Sequence, residues 1–247
     1  MKTTAILAAT DRYDLALADH IDDLVLAQRL RYEVFNLELH EGLSAAFETG
    51  LDADAFDEVC DHLIVRERET GHVVGTYRMQ TGAHAARHRG YYSEREFNFA
   101  PFEPVRAEVL ELGRACVAAA HRNYVVLGLL WKGIATYAQQ HGARYLVGCS
   151  SLTSQDEAAG LAVYRELAAK HLVDSPWQTR PQIGWRCSPL NGRGTPVPVP
   201  KLMRAYLTLG ARICGDPAID REFSTIDFLT WLDLRAMPLR TLQRFFT

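Results

Sequence analysis

Glu111 and Arg114 stand three apart in the run ELGR, and in a regular strand that spacing sends them to opposite faces. One face would carry Val109, Glu111 and Gly113 and the other Leu110, Leu112, Arg114 and Cys116, so each face buries a charge among apolar side chains. Gly113 permits a bulge that would turn both charges into one cleft. Two readings stay open: a structural ion pair with a neighbouring strand, or chemistry. In the second, Glu111, raised in pKa by partial burial, takes a proton from an amine as it attacks a thioester carbonyl. Backbone donors near Gly113 to Val117, Cys116 among them, would polarise that carbonyl.

Other residues offer partial roles. Tyr164, in LAVYREL, is either a phenol able to protonate a thiolate or a core tyrosine. Asp57 and Asp61, in FDEVCDHL, either hold a cationic amine or cap a turn in solvent. His62 and the run Cys149-Ser150-Ser151 suggest a nucleophile, but no GxSxG elbow surrounds those serines, so covalent catalysis is not expected and Ser150 enters only as a substrate contact. A polar segment at residues 83–98 concentrates Arg87, His88, Arg89 and Arg95, which form either a docking patch for an acidic partner or a solvated loop.

The elements that must position these groups follow from periodicity. Residues 21–37 read as a helix with Leu26, Leu30, Val34 and Leu37 on one face, and Arg29, Arg31 and Glu33 pointing elsewhere. Residues 38–60 are acidic and weakly periodic, a long loop or lid. Strands at 62–68 and 73–80 flank Glu69-Thr70-Gly71-His72, a hairpin signal because Gly71 can take positive φ. A strand at 108–118 leads into a helix at 125–141 with Leu127, Leu130, Trp131, Ile134 and Ala138 as its apolar stripe, stopped at Gly142. A short strand at 144–149 precedes Ser154-x-x-Glu157, read as a capping box opening a helix to about residue 171. Six prolines between 176 and 200 confine the next region to edge strand and loop. A helix near 201–212, a strand near 223–234 and a short amphipathic tail complete the chain. Hairpin, strand, helix, strand, helix, strand is a mixed α/β order; a doubly wound nucleotide fold is disfavoured because no GxGxxG follows any predicted strand.

The strand-to-helix junction is an anion site by construction, since a helix N-terminus offers free N–H groups and positive partial charge. Coenzyme A transferases place an arginine-and-glycine loop there. This chain has Arg122, Asn123 and Tyr124, then Val125, Val126 and Leu127, branched side chains that deny a pyrophosphate its close backbone approach. The expected donor is therefore not free coenzyme A.

Bulk properties bound the rest. A length of 247 residues suits one large domain with a C-terminal extension from about 201, or two small ones. With 48% hydrophobic residues, 23% charged residues and a net charge of −3, the chain reads as a soluble enzyme and not as a nucleic-acid binder. Five widely spaced cysteines without a CxxC pair argue against a disulfide framework and a zinc site. Lys132 breaks the most apolar run, and no secretory leader opens the chain, so a cytosolic protein with at most peripheral membrane contact is expected.

Taken together, RLRYEVF (29–35), FDEVCDHLIV (56–65), HVVGTYRM (72–79), ELGRACV (111–117), LLWKGIATY (129–137), YLVGCSSL (145–152) and the block at 201–233 resemble the N-acyltransferases of ornithine-lipid synthesis. These form the haemolysin-like branch of the acetyltransferase-like (GNAT) superfamily and are related to the acyl-homoserine-lactone synthases. The resemblance implies a GNAT-like mixed sheet flanked by helices, functional positions at Arg31, Phe35, Asp61, Arg78, Glu111 and Arg114, and Glu111 as general base through a water. It implies a long, 3-hydroxylated acyl group carried by acyl carrier protein, with acyl-coenzyme A as the lesser donor, and transfer to the α-amine of ornithine or a similar amino acid without a metal. Arg122 and Asn123 would then meet the phosphopantetheine phosphate, and Arg87 and Arg89 the carrier. Asp57 lies four residues from Asp61 where the lactone synthases space the pair by three. The rival readings are a coenzyme A-dependent acetyltransferase of a small amine and a non-catalytic, membrane-associated haemolysin-like protein.

Overall fold

The computed structural model describes residues 6–237. In chain order the elements are β1 (Ile6–Ala9), β2 (Tyr13–Leu17), α1 (Ile21–Tyr32), α2 (Ala46–Thr49), β3 (Asp61–Glu67), β4 (Val73–Thr81), α3 (Gly82–Arg87), β5 (Val109–Val117), α4 (Tyr124–Gln140), β6 (Tyr145–Leu152), α5 (Glu157–His171), α6 (Lys201–Thr208), β7 (Arg212–Ile213), β8 (Ala218–Asp220) and β9 (Thr225–Asp233). The described residues form two compact units, one from 6–80 together with 112–142, the other from 81–111 together with 143–237. Strand β5 contributes Val109, Leu110 and Glu111 to the second unit and its remainder to the first.

In the first unit β1, β2, β3 and β4 form an antiparallel meander, with Leu15 opposite Val65 and His62 opposite Arg78. The predicted hairpin is present, and Gly71 takes φ +71°, which a left-handed connection requires. The pair β1 and β2 is an addition to the elements expected from sequence. The predicted apolar helix is α4, whose buried face is wider than a stripe and includes Val126, Leu129, Leu130, Trp131, Ile134 and Ala138. Gly133 lets it approach β3 so closely that a Cβ there would stand 2.6 Å from a Leu63 methyl. Helix α1 ends early and continues as a π-turn over Glu33–Glu38. That wider turn rotates the pattern, so Val34, Phe35 and Asn36 are buried while Leu37, expected on the apolar face, is half exposed.

In the second unit β5 pairs in parallel with β6, Glu111 opposite Val147, as a helical crossover demands. Strand β6 runs antiparallel to β9 along its whole length, Tyr145 opposite Asp233 and Leu152 opposite Ile226, and β7 and β8 pair with β9. Trp231 anchors the core, its ring 4.8 Å from Phe102, 4.7 Å from Tyr145 and 5.1 Å from Trp177. The cap of α5 is Asp156, whose carboxylate accepts from the Ala159 N–H at 2.9 Å; Ser154, the expected cap, instead accepts from the Asp156 N–H at 3.0 Å. The result is a mixed antiparallel and parallel sheet with helices against it, as the element order implied. The expected amphipathic tail lies outside the described residues.

Candidate active site

Glu111 is buried at the end of the β5 segment belonging to the second unit. Its Oε1 accepts from the Ser93 N–H at 2.8 Å and the Ser93 hydroxyl at 2.7 Å, and its Oε2 from the Tyr92 N–H at 2.8 Å. These donors open a single 3-10 turn, Tyr92–Arg95, so the carboxylate sits at a turn's N-terminus where exposed N–H groups favour negative charge. A carboxylate oriented by three donors is placed to take a proton. Ser93 also receives the Cys149 thiol, with Sγ 3.5 Å from its Oγ, and the same sulfur lies 3.8 Å from Glu96 Oε2.

Arg114 belongs to the first unit and takes φ +50°, a left-handed conformation at a residue with a Cβ. The irregularity that Gly113 was expected to supply is thus carried by the arginine itself, and it breaks the two-residue alternation of the strand at the charge. Arg114 Nε lies 3.2 Å from Asp52 and its NH2 2.9 Å from Asp54. Those aspartates belong to a buried ionic network. Arg31, with no exposed surface, holds Asp52 at 2.9 Å and Asp57 at 2.5 Å, and also donates to the Asp52 carbonyl. Arg78 holds Asp54 at 2.6 Å and Asp57 at 2.9 Å, and Gln28 donates to Asp57 at 3.0 Å. Three guanidinium groups face three carboxylates, which is the balance a buried ionic cluster needs. Burial alone would raise the Asp57 carboxyl, but Arg31 and then Arg78 outweigh it and hold the group far below the usual carboxylate range. His62, whose Nε2 lies 3.2 Å from the Asp57 carbonyl, is pushed down to about 4 by burial, with Asp57 opposing.

This network revises two expectations. Residues 52–57 are a loop pinned by arginines from α1, β4 and β5, and Asp57 lies in a turn, as one reading expected, but buried among those arginines and not in solvent. Arg31 does not point away from the helix's buried face. Asp61 is exposed and accepts from the Tyr137 hydroxyl at 2.5 Å, while Phe35 is buried beside the π-turn.

At the start of α4, Asn123 is the cap, and its Oδ1 accepts from Val125 N–H and Val126 N–H, each at 3.0 Å. Two donors that a phosphate would use are already taken within the chain. Arg122, expected at that phosphate, forms a two-pronged pair with Glu38 at 2.5 and 2.7 Å and donates from Nε to the Val117 carbonyl at 3.0 Å. Tyr124 and Val125 are exposed.

The remaining candidates are scattered. Cys116 is buried, and burial pushes its thiol well up. Ser150 is buried with its hydroxyl 3.2 Å from that of Thr230. Tyr164 is half-buried against the apolar cluster of Leu152, Val163, Ile213 and Phe228, its phenol raised by burial and then by Asp216. Arg87 and Arg89 are exposed on and after α3, and Arg95 pairs with Glu222 at 2.8 Å.

Sequence reasoning missed Asp52, Asp54 and Ser93 as partners, and Glu96 and Asp227 altogether. The last two are buried, and with Cys149 they bring one ligand-type atom each within 4.8 Å of one another. Burial and then Asp227 hold the Glu96 carboxyl well above its usual range; burial raises Asp227 to about 6. A signal existed only in the strand pattern, where Asp227 interrupts the apolar run TIDFLTWLD of β9.

Comparison with known proteins places this geometry in context. Residues 30–132 match the family model described as acetyltransferase (GNAT) domain. The chain is 32% identical over 241 residues to the L-ornithine N(alpha)-acyltransferase of Rhodobacter capsulatus, covering 93% of each chain. It is 32% identical over 241 residues to the L-ornithine N(alpha)-acyltransferase of Agrobacterium fabrum, covering 91% of this chain and 82% of that one. Its fold is similar to the crystal structure of the AHL synthase LasI, with a TM-score of 0.53 at 13% identity over 99% of this chain and 96% of the other.

Proposed function

The chain belongs to the L-ornithine Nα-acyltransferase family and is an N-acyltransferase, and from that premise we propose that it moves a long, 3-hydroxylated acyl group from acyl carrier protein to the α-amine of L-ornithine. The acceptor follows the relatives. The donor reading rests on one observation, the occupation of the Val125 and Val126 N–H groups by Asn123, which leaves the helix start without the cradle a coenzyme A pyrophosphate needs.

In this reading Glu111 is the general base. The ornithine α-amine attacks the thioester carbonyl, its proton passes through a water to Glu111, and the tetrahedral oxyanion is met by backbone N–H groups of the Gly113 to Val117 stretch. The thiolate leaves as the carbonyl re-forms, and Tyr164, whose phenol stays protonated at neutral pH, returns a proton to it. Arg31, Asp57, Arg78 and Arg114 serve as the scaffold that fixes residues 52–57, because their charges answer one another. Arg87 and Arg89 form the docking face for the acidic carrier, and Arg122 meets its prosthetic phosphate by exchanging Glu38 for it. Among the described residues no helix is long and apolar enough to cross a membrane.

The test is tandem mass spectrometry of products from the purified protein given L-ornithine with either 3-hydroxypalmitoyl carrier protein or acetyl-coenzyme A. The reading requires Nα-acylornithine from the carrier-bound donor and at least tenfold less product from acetyl-coenzyme A. Comparable product from acetyl-coenzyme A would overturn the donor assignment.

A further inference from the structure

Ornithine carries two amines separated by four carbons, and an enzyme that acylates only one of them must hold the other. The second unit contains a buried acidic pair, Glu96 and Asp227, with which no cation of the described residues forms an ion pair. Glu96 is completely buried and Asp227 is 4% exposed. Glu96 Oε1 and Asp227 Oδ1 have no hydrogen-bond partner among the described residues, and beside them the Ser151 side chain supports the Asp227 carboxyl. Orphaned buried carboxylate oxygens cost free energy, and evolution retains such groups where a ligand satisfies them. Arg95, the cation nearest in sequence, lowers Glu96 only through its charge and forms its ion pair with Glu222 at 2.8 Å. The pair is also joined to Glu111: Glu111 Oε1 contacts Ser93 Oγ at 2.7 Å, Ser93 Oγ contacts Cys149 Sγ at 3.5 Å, and Cys149 Sγ contacts Glu96 Oε2 at 3.8 Å.

Resting on the ornithine reading above, we infer that Glu96 and Asp227, with Cys149 beside them, form the subsite for the acceptor's side-chain ammonium. An alkylammonium has three donors and a compact charge. Two orphaned carboxylate oxygens and one thiol sulfur answer those donors. With the δ-ammonium held at Glu96 and Asp227, the four-carbon chain directs the α-amine back along Cys149 and Ser93 toward Glu111. The subsite makes Glu96 and Asp227 specificity-determining residues for a dibasic amino acid, and keeps the δ-amine charged and therefore non-nucleophilic.

The experiment compares ornithine with norvaline, which has the same carbon chain and α-amine but no δ-amine. Calorimetric binding and kcat/KM are measured for both acceptors with wild type, Glu96→Gln, Asp227→Asn and the double variant, and thermal unfolding is recorded for each. The expected result is that wild type prefers ornithine, and that either single variant lowers the ornithine-to-norvaline ratio by about 10- to 100-fold, the size of one hydrogen bond to a charge. Both substitutions keep shape, and if the double variant does not fold either single variant carries the comparison. A ratio unchanged in a folded variant overturns the inference while wild-type production of acylornithine leaves the functional reading standing. If wild type yields no acylornithine yet binds ornithine through Glu96 and Asp227, the subsite stands and the functional reading falls. Stoichiometric zinc binding by wild type that is lost in both variants would assign the cluster to a metal and overturn the inference.

Discussion

The hydroxyl and the backbone N–H of Ser93 converge on a single oxygen of Glu111, at 2.7 and 2.8 Å. One residue thereby fixes the orientation of the carboxylate assigned as the base, and does so from a 3-10 turn outside the sheet. Ser93→Ala removes one charge-assisted bond, so kcat should fall about tenfold with a smaller change in the acceptor KM. Ser93→Thr should restore most of the rate. Steady-state kinetics on both variants separate this positioning role from simple packing, for which the hydroxyl would be irrelevant.

The buried network of Arg31, Asp52, Asp54, Asp57, Arg78 and Arg114 makes a stability prediction. Removing one partner strands a buried charge, so Asp57→Asn and Arg31→Met should each cost about 3–5 kcal/mol in urea unfolding. An exposed pair such as Arg95 with Glu222 should cost less than about 1 kcal/mol in the same assay.

His62 gives a pH dependence. Its folded-state value of about 4 lies below the unfolded value of ~6.5, so the unfolded chain binds the proton more readily and stability is lost as pH falls from 6.5 toward 4. Asp227, raised to about 6, acts oppositely: its folded state binds the proton more readily, and that contribution is lost as pH rises from the unfolded ~3.9 through 6. The wild-type curve sums the two. Subtracting the unfolding free energy of His62→Gln from that of wild type at each pH should therefore leave a positive slope between pH 4 and 6.5, amounting to no more than about 3 kcal/mol. A flat difference would show that His62 is not buried neutral.

These cases show what local pattern could and could not convey. The hairpin around Gly71, the strand carrying Glu111 and the helix ending at Gly142 were readable because periodicity and a left-handed glycine are local signals. Arg31 was not, since a charge on a helix reads as solvated until its partners are known, and Asp52 and Asp57 come from a segment with no period of its own. Ser93 and Glu96 lay hidden in a polar stretch, and their significance depends on Glu111 and Asp227 reaching them from β5 and β9. Asp156 displaced Ser154 as a cap by one turn geometry, a choice between two good caps that spacing does not decide.

The carrier-docking face is tested by charge reversal. Arg87→Glu combined with Arg89→Glu should raise KM for carrier-bound donor, leave KM for ornithine alone and flatten the salt dependence of kcat/KM, because both side chains are exposed. Wild-type kinetics at low ionic strength would move the docking surface to another basic region, with Arg204 and Arg212 next.

The most direct test of the account is Glu111→Gln, which keeps the shape of the side chain and removes its ability to take a proton. With carrier-bound donor and ornithine both saturating, kcat should fall by about 10²- to 10⁴-fold while the thermal midpoint stays near that of wild type. A folded variant that retains full kcat would contradict the assignment of Glu111 as the base, and with it the mechanism proposed for this enzyme.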